Sequence, residues 1–148
     1  GEYRDEVDVS LSEADGMDIS LCEINLDTNE VLIASAKRTS IVKRNGKFER
    51  LKGDNRSIGG LDLMKTKFTL TKLKLEKGDA LYLFTDGFTD QFGGINDKKL
   101  MISGVLEMLE ALEPIKRELH LRSIRSNFAL WKLTTPQVDD VLFIGLLF

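Results

Sequence analysis

The first half of the chain alternates apolar and polar residues with the period of two that is typical of β-strands. In "MDISLCEINLD", which begins at Met17, the apolar residues Ile19 and Leu21 are separated by polar neighbours. The stretches "EVLIASAK", "TSIVKRNG" and "KFERLKG" follow at hairpin spacing, and Asn45-Gly46 is a strong signal for a tight turn. This pattern predicts an antiparallel sheet.

Two further strands are predicted in the middle of the chain. In "TKFTLTKLKLE" the apolar phase slips between Leu70 and Leu73, which indicates a bulge or a bend. A turn at Lys77-Gly78-Asp79 precedes "ALYLF", which is almost entirely apolar. A strand without polar alternation is typical of the centre of a sheet, so we expect "ALYLF" to be buried on both faces.

The period changes to that of a helix after residue 95. Asn96 and Asp97 can cap a helix over about 97–112, and Pro114 fits the first turn of a second helix over about 114–132. The chain closes with "VDDVLFIGLLF", which is too apolar for us to expect an edge strand. The order of elements predicts an α+β fold, an antiparallel β-sheet sandwich with helices packed on one face of a sheet.

No repeat, low-complexity tract or linker divides the sequence, and its 148 residues suit one domain. We expect residues 1–14 to be a flexible N-terminal segment and residues 15–148 to form the folded part. The net charge of −3 and the absence of a basic run argue against a nucleic-acid partner. No apolar stretch approaches the roughly 18 residues that span a membrane, so we expect no direct membrane insertion.

Cysteine and histidine are too scarce for most sites built from them. Cys22 and His120 are the only residues of their types. We expect Cys22 to be a buried inert thiol, since a nucleophilic cysteine usually needs a partnering base and His120 lies far along the chain. A metal bound by this chain would therefore be a hard ion held by oxygen.

Aspartates mark one end of each of the two most apolar strands. Asp86 and Asp90 follow "ALYLF", and Asp139-Asp140 precede "VLFIGLLF". If these strands run antiparallel as neighbours, Asp86 and Asp139 lie at the same edge, where a divalent cation such as Mg²⁺, Mn²⁺ or Ca²⁺ would relieve their repulsion. The alternative is structural: Asp-Gly is a common turn dipeptide, and Asp-Asp before a strand can be a solvated gatekeeper.

The combination of these motifs resembles a known family. "KGDALYLFTDGFTDQFGG", followed about forty residues later by "QVDDVLFIGLLF", is similar to the C-terminal half of the PPM-type metal-dependent serine/threonine phosphatases, in particular the stage II sporulation protein E branch. The resemblance covers about residues 13–148. The matching motifs are Asp15-Gly16-Met17, Gly78-Asp79, Thr85-Asp86-Gly87 and Asp139-Asp140.

The resemblance implies roles for individual residues. Asp86 and Asp139 match aspartates that bind the two active-site Mn²⁺ or Mg²⁺ ions of the family, with no catalytic side chain beyond the metal ligands. Asp90 matches an acid that acts near the metals through water, while Asp140 and Gly87 lie around the ligands. In that family the two ions activate a hydroxide for attack on phosphorus and stabilise the charge that develops.

The sequence also departs from the family pattern. The earlier Gly-Asp segment and the Asp-Gly-His-Gly-like segment, which supply the ligand bridging both metals, do not occur, and "ASAKRTSIV" replaces an "AGHxPP"-like stretch. We therefore expect the C-terminal portion of a phosphatase domain (a partial αββα fold) that holds half of a metal site, with weak or absent metal binding and little activity alone. A non-catalytic, degenerate phosphatase-fold module for binding or signalling is the alternative.

Partners and location follow from the same resemblance. It implies a phosphoserine- or phosphothreonine-bearing signalling protein as substrate, and a bacterial sensor or two-component protein as the parent. We expect a cytoplasmic location, as the output domain of a protein that itself can be membrane-bound. Because half of the fold would be missing, we also expect an exposed strand edge or apolar surface and self-association.

Overall fold

Two antiparallel sheets form the centre of the molecule. The structure is a computed structural model and describes residues 16–59 and 67–148. The elements in chain order are β1 (Gly16–Met17), β2 (Ile19–Asn25), β3 (Glu30–Ala36), β4 (Thr39–Arg44), β5 (Lys47–Lys52), β6 (Ile58–Gly59), β7 (Thr71–Lys74), β8 (Ala80–Phe84), α1 (Asp86–Thr89), β9 (Phe92–Gly93), β10 (Lys98–Lys99), α2 (Met101–Glu110), a 3-10 turn (Arg117–Leu119), α3 (His120–Lys132) and β11 (Phe143–Leu147).

The described strands pair only in antiparallel fashion. One sheet has the order β2-β3-β7 and the other has the order β11-β8-β4-β5. Two short ladders, β1 with β6 and β9 with β10, lie outside these sheets. This arrangement confirms the predicted α+β class with antiparallel sheets. The expectation for residues 1–14 lies outside the described residues.

The strands β4 and β8 are buried on both faces. Ile41 and Tyr82 belong to the apolar cluster that includes side chains of α2 and α3. Their sequence neighbours Val42 and Leu81 point the other way, into the cluster shared with β3 and β7. The four-stranded sheet is therefore the middle layer between the three-stranded sheet and the helices. The predicted central position of "ALYLF" is confirmed.

The turns of the first half follow the local sequence, but one predicted strand is shorter than expected. The β4–β5 hairpin turns at Asn45, which has a φ of 51°. Among the described residues of "TKFTLTKLKLE", only Thr71–Lys74 form a strand, and residues 67–70 lie before it. The slip of phase between Leu70 and Leu73 therefore marks the place where the strand begins, and there is no bulge within β7.

Both helices begin later than predicted. The first starts at Met101 because Lys98–Lys99 pair as a strand with Phe92–Gly93, which prevents Asn96 and Asp97 from capping it. The second starts at His120, after a 3-10 turn that follows an extended Lys116 with ψ of 137°. No helix among the described residues is long and apolar enough to cross a membrane.

The closing strand lies at an edge among the described strands, so its predicted central position is wrong. β11 pairs with β8 on one side and with no described strand on the other. Phe143 and Leu147 pack against the cluster on the helix side of the sheet, and Leu146 packs against the cluster on the opposite side. Apolar side chains on both faces report burial between layers, and they carry no information about the hydrogen bonds at the strand's outer edge.

Candidate functional site

The corner where β8 ends and β11 begins brings the two aspartate motifs together. Thr85, the residue after β8, accepts a hydrogen bond from the Leu142 N–H with its hydroxyl oxygen (3.0 Å) and donates its hydroxyl to the Asp140 carbonyl (2.9 Å). The Thr85 N–H also donates to the Leu142 carbonyl (3.1 Å). One side chain therefore holds the start of α1 against the segment that carries Asp139-Asp140.

Gly87 makes this close approach possible. A Cβ atom built on Gly87 would overlap the carbonyl oxygen of Asp140 and crowd the backbone of Asp139. A residue without a side chain is therefore required in the first turn of α1. The predicted antiparallel pairing of the two strands is confirmed, and it places Asp86 and Asp139 at one corner.

Asp86 is ionised and paired with an arginine. Its Oδ2 lies 2.6 Å from Nη1 of Arg38, and the two side chains are 50% and 23% exposed. The hydrogen bond from Arg38 is the main reason why the pKa of Asp86 lies below its ordinary value, and the charge of the guanidinium acts in the same direction. At neutral pH the carboxylate is thus available to a cation, but a protein cation already occupies one of its oxygens.

Arg38 is presented by a turn whose backbone is fixed on several sides. Lys37 N–H donates to the Asp54 carbonyl (2.7 Å), and Gly53 N–H donates to the Arg38 carbonyl (3.0 Å). Nε of Arg38 donates to the carbonyl of Asp18 (3.4 Å). The arginine lines two shallow cavities, of about 190 Å³ beside Asp86 and about 210 Å³ beside Asp18.

The other predicted acids have local partners. Asp139 accepts a hydrogen bond at Oδ1 from the N–H of Asp140 (2.7 Å), and both residues are exposed. Asp90, at the end of α1, forms an ion pair of 2.8 Å with Lys99 of β10. The carboxylates of Asp139 and Asp90 thus each have a partner within the protein, and their roles toward a metal remain a prediction.

The donor set matches a hard cation in kind but is small in number. Exposed carboxylate oxygens such as those of Asp86 and Asp139 are the ligands that Mg²⁺ and Mn²⁺ prefer. Within residues 16–59 and 67–148, no group of three or more His, Cys, Asp or Glu side chains is placed to hold a metal ion. The corner can therefore contribute ligands to an ion, with the remaining positions supplied from elsewhere or by water.

The sequence profile of one family, described as stage II sporulation protein E (SpoIIE), matches residues 3–146. The chain belongs to the SpoIIE family. A search of curated proteins found no match.

Solved structures with the same fold are phosphatase domains. The chain superposes on the SiaA-PP2C domain of Pseudomonas aeruginosa with a TM-score of 0.77 at 24% identity, covering 88% of this chain and 51% of that one. It superposes on the phosphatase domain of SpoIIE, a cell fate determinant from Bacillus subtilis, with a TM-score of 0.62 at 14% identity, covering 88% and 57%. A second form of that domain, presoaked with Mn, gives a TM-score of 0.58 at 15% identity, covering 88% and 56%.

These similarities establish the fold, and they also give the extent of the match. The SpoIIE-family chain spans about half the length of the phosphatase structures that it matches. The predicted resemblance to the PPM-type phosphatases and the predicted fold class are both confirmed.

Two features of this SpoIIE-family corner were missed in the sequence. Arg38 lies in "ASAKRTSIV", and no local pattern of that segment indicates its contact with Asp86. Gln91 is buried, and its Nε2 donates to the carbonyls of Phe92 (2.9 Å) and Pro136 (3.1 Å). It connects the loop after α1 to the segment that leads to Asp139, and no local pattern indicated this contact.

The lone cysteine and histidine lie away from the acidic motifs, and Cys22 is half-buried and not fully buried as predicted. Cys22 lies on the three-stranded sheet, and burial raises the pKa of its thiol. His120 donates from Nε2 to the Ile115 carbonyl (2.9 Å). Its neighbour Arg117 bonds the carbonyl of Leu147, at the end of β11 opposite to the acidic corner. Neither residue is placed to act with Asp86.

Proposed function

We propose that this chain forms the C-terminal portion of a metal-dependent serine/threonine phosphatase domain. One observation carries the proposal: Thr85 and Gly87 hold the backbone of Asp86 directly against the Asp139-Asp140 segment. This contact between distant motifs occurs in a chain that matches the SpoIIE family over residues 3–146. A turn former or a solvated gatekeeper would not need this contact.

Asp86 and Asp139 are the proposed ligands of Mn²⁺ or Mg²⁺. When bound, the two ions of an intact site would activate water and offset the charge that develops on a phosphoryl group. Asp86 contributes a carboxylate that is ionised at neutral pH, because Arg38 lowers its pKa. Asp140, Gly87 and Asp90 would fix the positions of the ligands and of nearby water.

The remaining ligands would come from the part of the phosphatase domain that this chain does not span. The SpoIIE structure presoaked with Mn supports manganese as the ion to test first. Since Asp86 and Asp139 leave most positions around an ion to water, binding to this chain alone would be weak. We therefore expect little or no phosphatase activity from the isolated chain.

The proposed substrate is a phosphoserine- or phosphothreonine-bearing signalling protein. A bacterial sensor or two-component parent and a cytoplasmic location belong to the same proposal, and they rest on the resemblance of "DQFGG" and its surroundings to sensor output domains. We expect no nucleic-acid partner, because the net charge is −3.

The edge of β11 that pairs with no described strand supports the proposal that the isolated chain self-associates. Leu142 and Ile144 are 54% and 39% exposed beside a row of backbone groups that no described strand pairs. Such an edge favours pairing with another chain. We expect sedimentation velocity to show dimers or larger species whose fraction rises with concentration, and a clean monomer at high concentration would contradict this.

Phosphate release from a phosphoprotein and from p-nitrophenyl phosphate tests the proposed activity. This chain and the longer protein with the complete domain are assayed side by side in millimolar Mn²⁺. We expect turnover only in the longer protein, and its loss in Asp86→Ala and Asp139→Ala without unfolding. Lys72→Ala is the control, because it removes an exposed ion pair with Glu30 (2.9 Å) on the other sheet. Robust turnover by the isolated chain would refute the half-site proposal.

The alternative is a non-catalytic module for binding or signalling. It is favoured by the Arg38–Asp86 ion pair, which neutralises a candidate ligand, and by the absence of a larger ligand cluster in the described parts of the chain. An inactive longer protein that carries the upstream acidic ligands would support this alternative.

A further inference from the structure

The proposed ligand Asp86 already has a cationic partner within the protein. Nη1 of Arg38 lies 2.6 Å from Oδ2 of Asp86, which is the spacing of a direct, charge-assisted hydrogen bond. A divalent cation bound to the same carboxylate would lie close to this guanidinium. Two positive charges at that separation repel each other, so full occupancy by both is unfavourable.

The turn that presents the Arg38 guanidinium is held in place by backbone hydrogen bonds. The turn that carries Arg38 is held by Lys37 N–H to the Asp54 carbonyl and by Gly53 N–H to the Arg38 carbonyl. Nε of Arg38 adds a contact to the Asp18 carbonyl (3.4 Å), so part of the side chain stays anchored if Asp86 is released. Arg38 is thus kept within reach of the carboxylate without a large loss of conformational freedom on pairing.

The ion pair between Arg38 and Asp86 is weak enough for a divalent cation to replace Arg38 at the carboxylate. Asp86 is 50% exposed, and ion pairs that are open to water contribute little because water and salt screen them. A divalent ion carries twice the charge and can therefore compete for the same oxygen. Asp90 lies in the same short helix, but its ion pair with Lys99 engages a different carboxylate.

We propose that Arg38 is an internal counter-ion that competes with the divalent cation for Asp86 and thereby lowers the metal affinity of this corner. The inference rests on the proposed function in one respect, namely that Asp86 is a metal ligand. It adds a residue that the aspartate motifs do not include, and it assigns a function to the "ASAKRTSIV" segment. It also predicts that metal binding displaces the guanidinium from Asp86.

Mn²⁺ titration of this chain, followed by calorimetry and by paramagnetic broadening of backbone amide signals, tests the proposal. Arg38→Gln should bind Mn²⁺ about two- to fivefold more tightly than the unaltered chain, the range expected for loss of an exposed ion pair. Arg38→Lys, which keeps the charge, should stay close to the unaltered chain. Broadening in Arg38→Gln should centre on the amides of Asp86 and Gly87.

A matched control lies at the far end of β4, the strand that Arg38 precedes. Arg44 ends β4 and pairs with Glu49 at 2.9 Å, so Arg44→Gln removes the same charge from a comparable ion pair. We expect it to leave Mn²⁺ affinity unchanged. Adding Asp86→Asn to Arg38→Gln should abolish the gain, because the contested carboxylate is then absent.

The inference is wrong if Arg38→Gln binds Mn²⁺ no more tightly than the unaltered chain, including the case in which neither binds it. It is also wrong if Arg44→Gln gives the same gain. If the longer protein is active but Arg38→Gln leaves its Mn²⁺ affinity unchanged, this inference is refuted and the proposed function stands. If the longer protein is inactive but Arg38→Gln tightens Mn²⁺ binding at Asp86, the proposed function is refuted and this inference stands.

Discussion

Two aspartates lie at opposite ends of the strand β8, and the protein treats them differently. Asp79, before the strand, is 9% exposed, and its carboxylate accepts hydrogen bonds from the backbone N–H groups of Asn45 (3.1 Å) and Glu76 (2.9 Å). Asp86, after the strand, is exposed and is held by the side chain of Arg38. Both residues stand next to a glycine in the sequence.

The two environments determine which carboxylate can exchange its partner. Backbone N–H groups at a buried turn cannot move away, and losing their acceptor would leave them unsatisfied. The pair of Asp86 with Arg38 is open to water at the carboxylate, so breaking it costs little, while the Nε contact of Arg38 holds the rest of that side chain in place. Asp79 is therefore suited to hold the β4–β5 hairpin against the turn before β8, and Asp86 is suited to exchange one cation for another.

The largest effect on stability is expected from removal of the Asp79 carboxylate. Asp79→Ala should lower the free energy of unfolding by about 2–4 kcal/mol, because two backbone donors lose their acceptor. Asp86→Ala should lower it by less than about 1 kcal/mol, as expected for an exposed ion pair. Urea unfolding followed by circular dichroism measures both.

Asp79→Asn sharpens the first result. It keeps one carbonyl acceptor at the buried turn, so about half of the loss should be recovered. Equal destabilisation by Asp79→Ala and Asp86→Ala would contradict the distinction between a structural and an exchangeable carboxylate.

An intermediate effect is expected at Gly87. Gly87→Ala forces a Cβ into the Asp140 backbone and should destabilise the chain by about 1–3 kcal/mol while separating the two motifs. Gly145→Ala on β11 is the control, because its nearest neighbour is the Tyr82 ring at 3.3 Å, and both residues line a cavity of about 340 Å³. Urea unfolding and the amide shifts of residues 139–142 report both changes, and a neutral Gly87→Ala would contradict the close approach.

The smallest expected effect is the dependence on pH of the stability that the Arg38–Asp86 pair contributes. The pKa of Asp86 is lowered in the folded chain, so the Arg38 pair stabilises the fold above the unfolded value near 3.9, and this contribution is lost as the pH falls through the folded pKa. The stability difference between the unaltered chain and Arg38→Gln should be constant near pH 7 and should vanish in strong acid. Urea unfolding between pH 2 and pH 7 checks this, and a difference that grows on acidification would contradict it.

Side-chain periodicity predicted the layers because it reports which faces are buried. It placed "ALYLF" correctly, since Leu81 and Tyr82 pack on opposite sides of one sheet. It misplaced β11, because an outer edge is defined by backbone hydrogen bonds and not by side chains. The first helix begins later than predicted because the pairing of Lys98–Lys99 with Phe92–Gly93 overrides the capping signal at Asn96. The second begins later because an extended Lys116 and a 3-10 turn precede it.

The sequence motifs predicted that the acidic residues lie at one corner, but they did not predict which side chain pairs with Asp86. Asp86 and Asp139 were assigned to the same edge from strand direction alone, and the pairing of β8 with β11 agrees. Arg38 escaped notice because its contact with Asp86 spans 48 positions of sequence, and no periodicity encodes which side chain fills a gap between two sheets.

The central claim is that the corner of Asp86 and Asp139 binds a divalent cation in the complete domain. The most direct measurement is the anomalous difference density of a crystal of the longer protein grown with Mn²⁺. We expect a peak between the Asp86 and Asp139 carboxylates, with the Arg38 guanidinium displaced from Asp86. Ordered carboxylates without such a peak, with Arg38 still paired to Asp86 in saturating Mn²⁺, would contradict it.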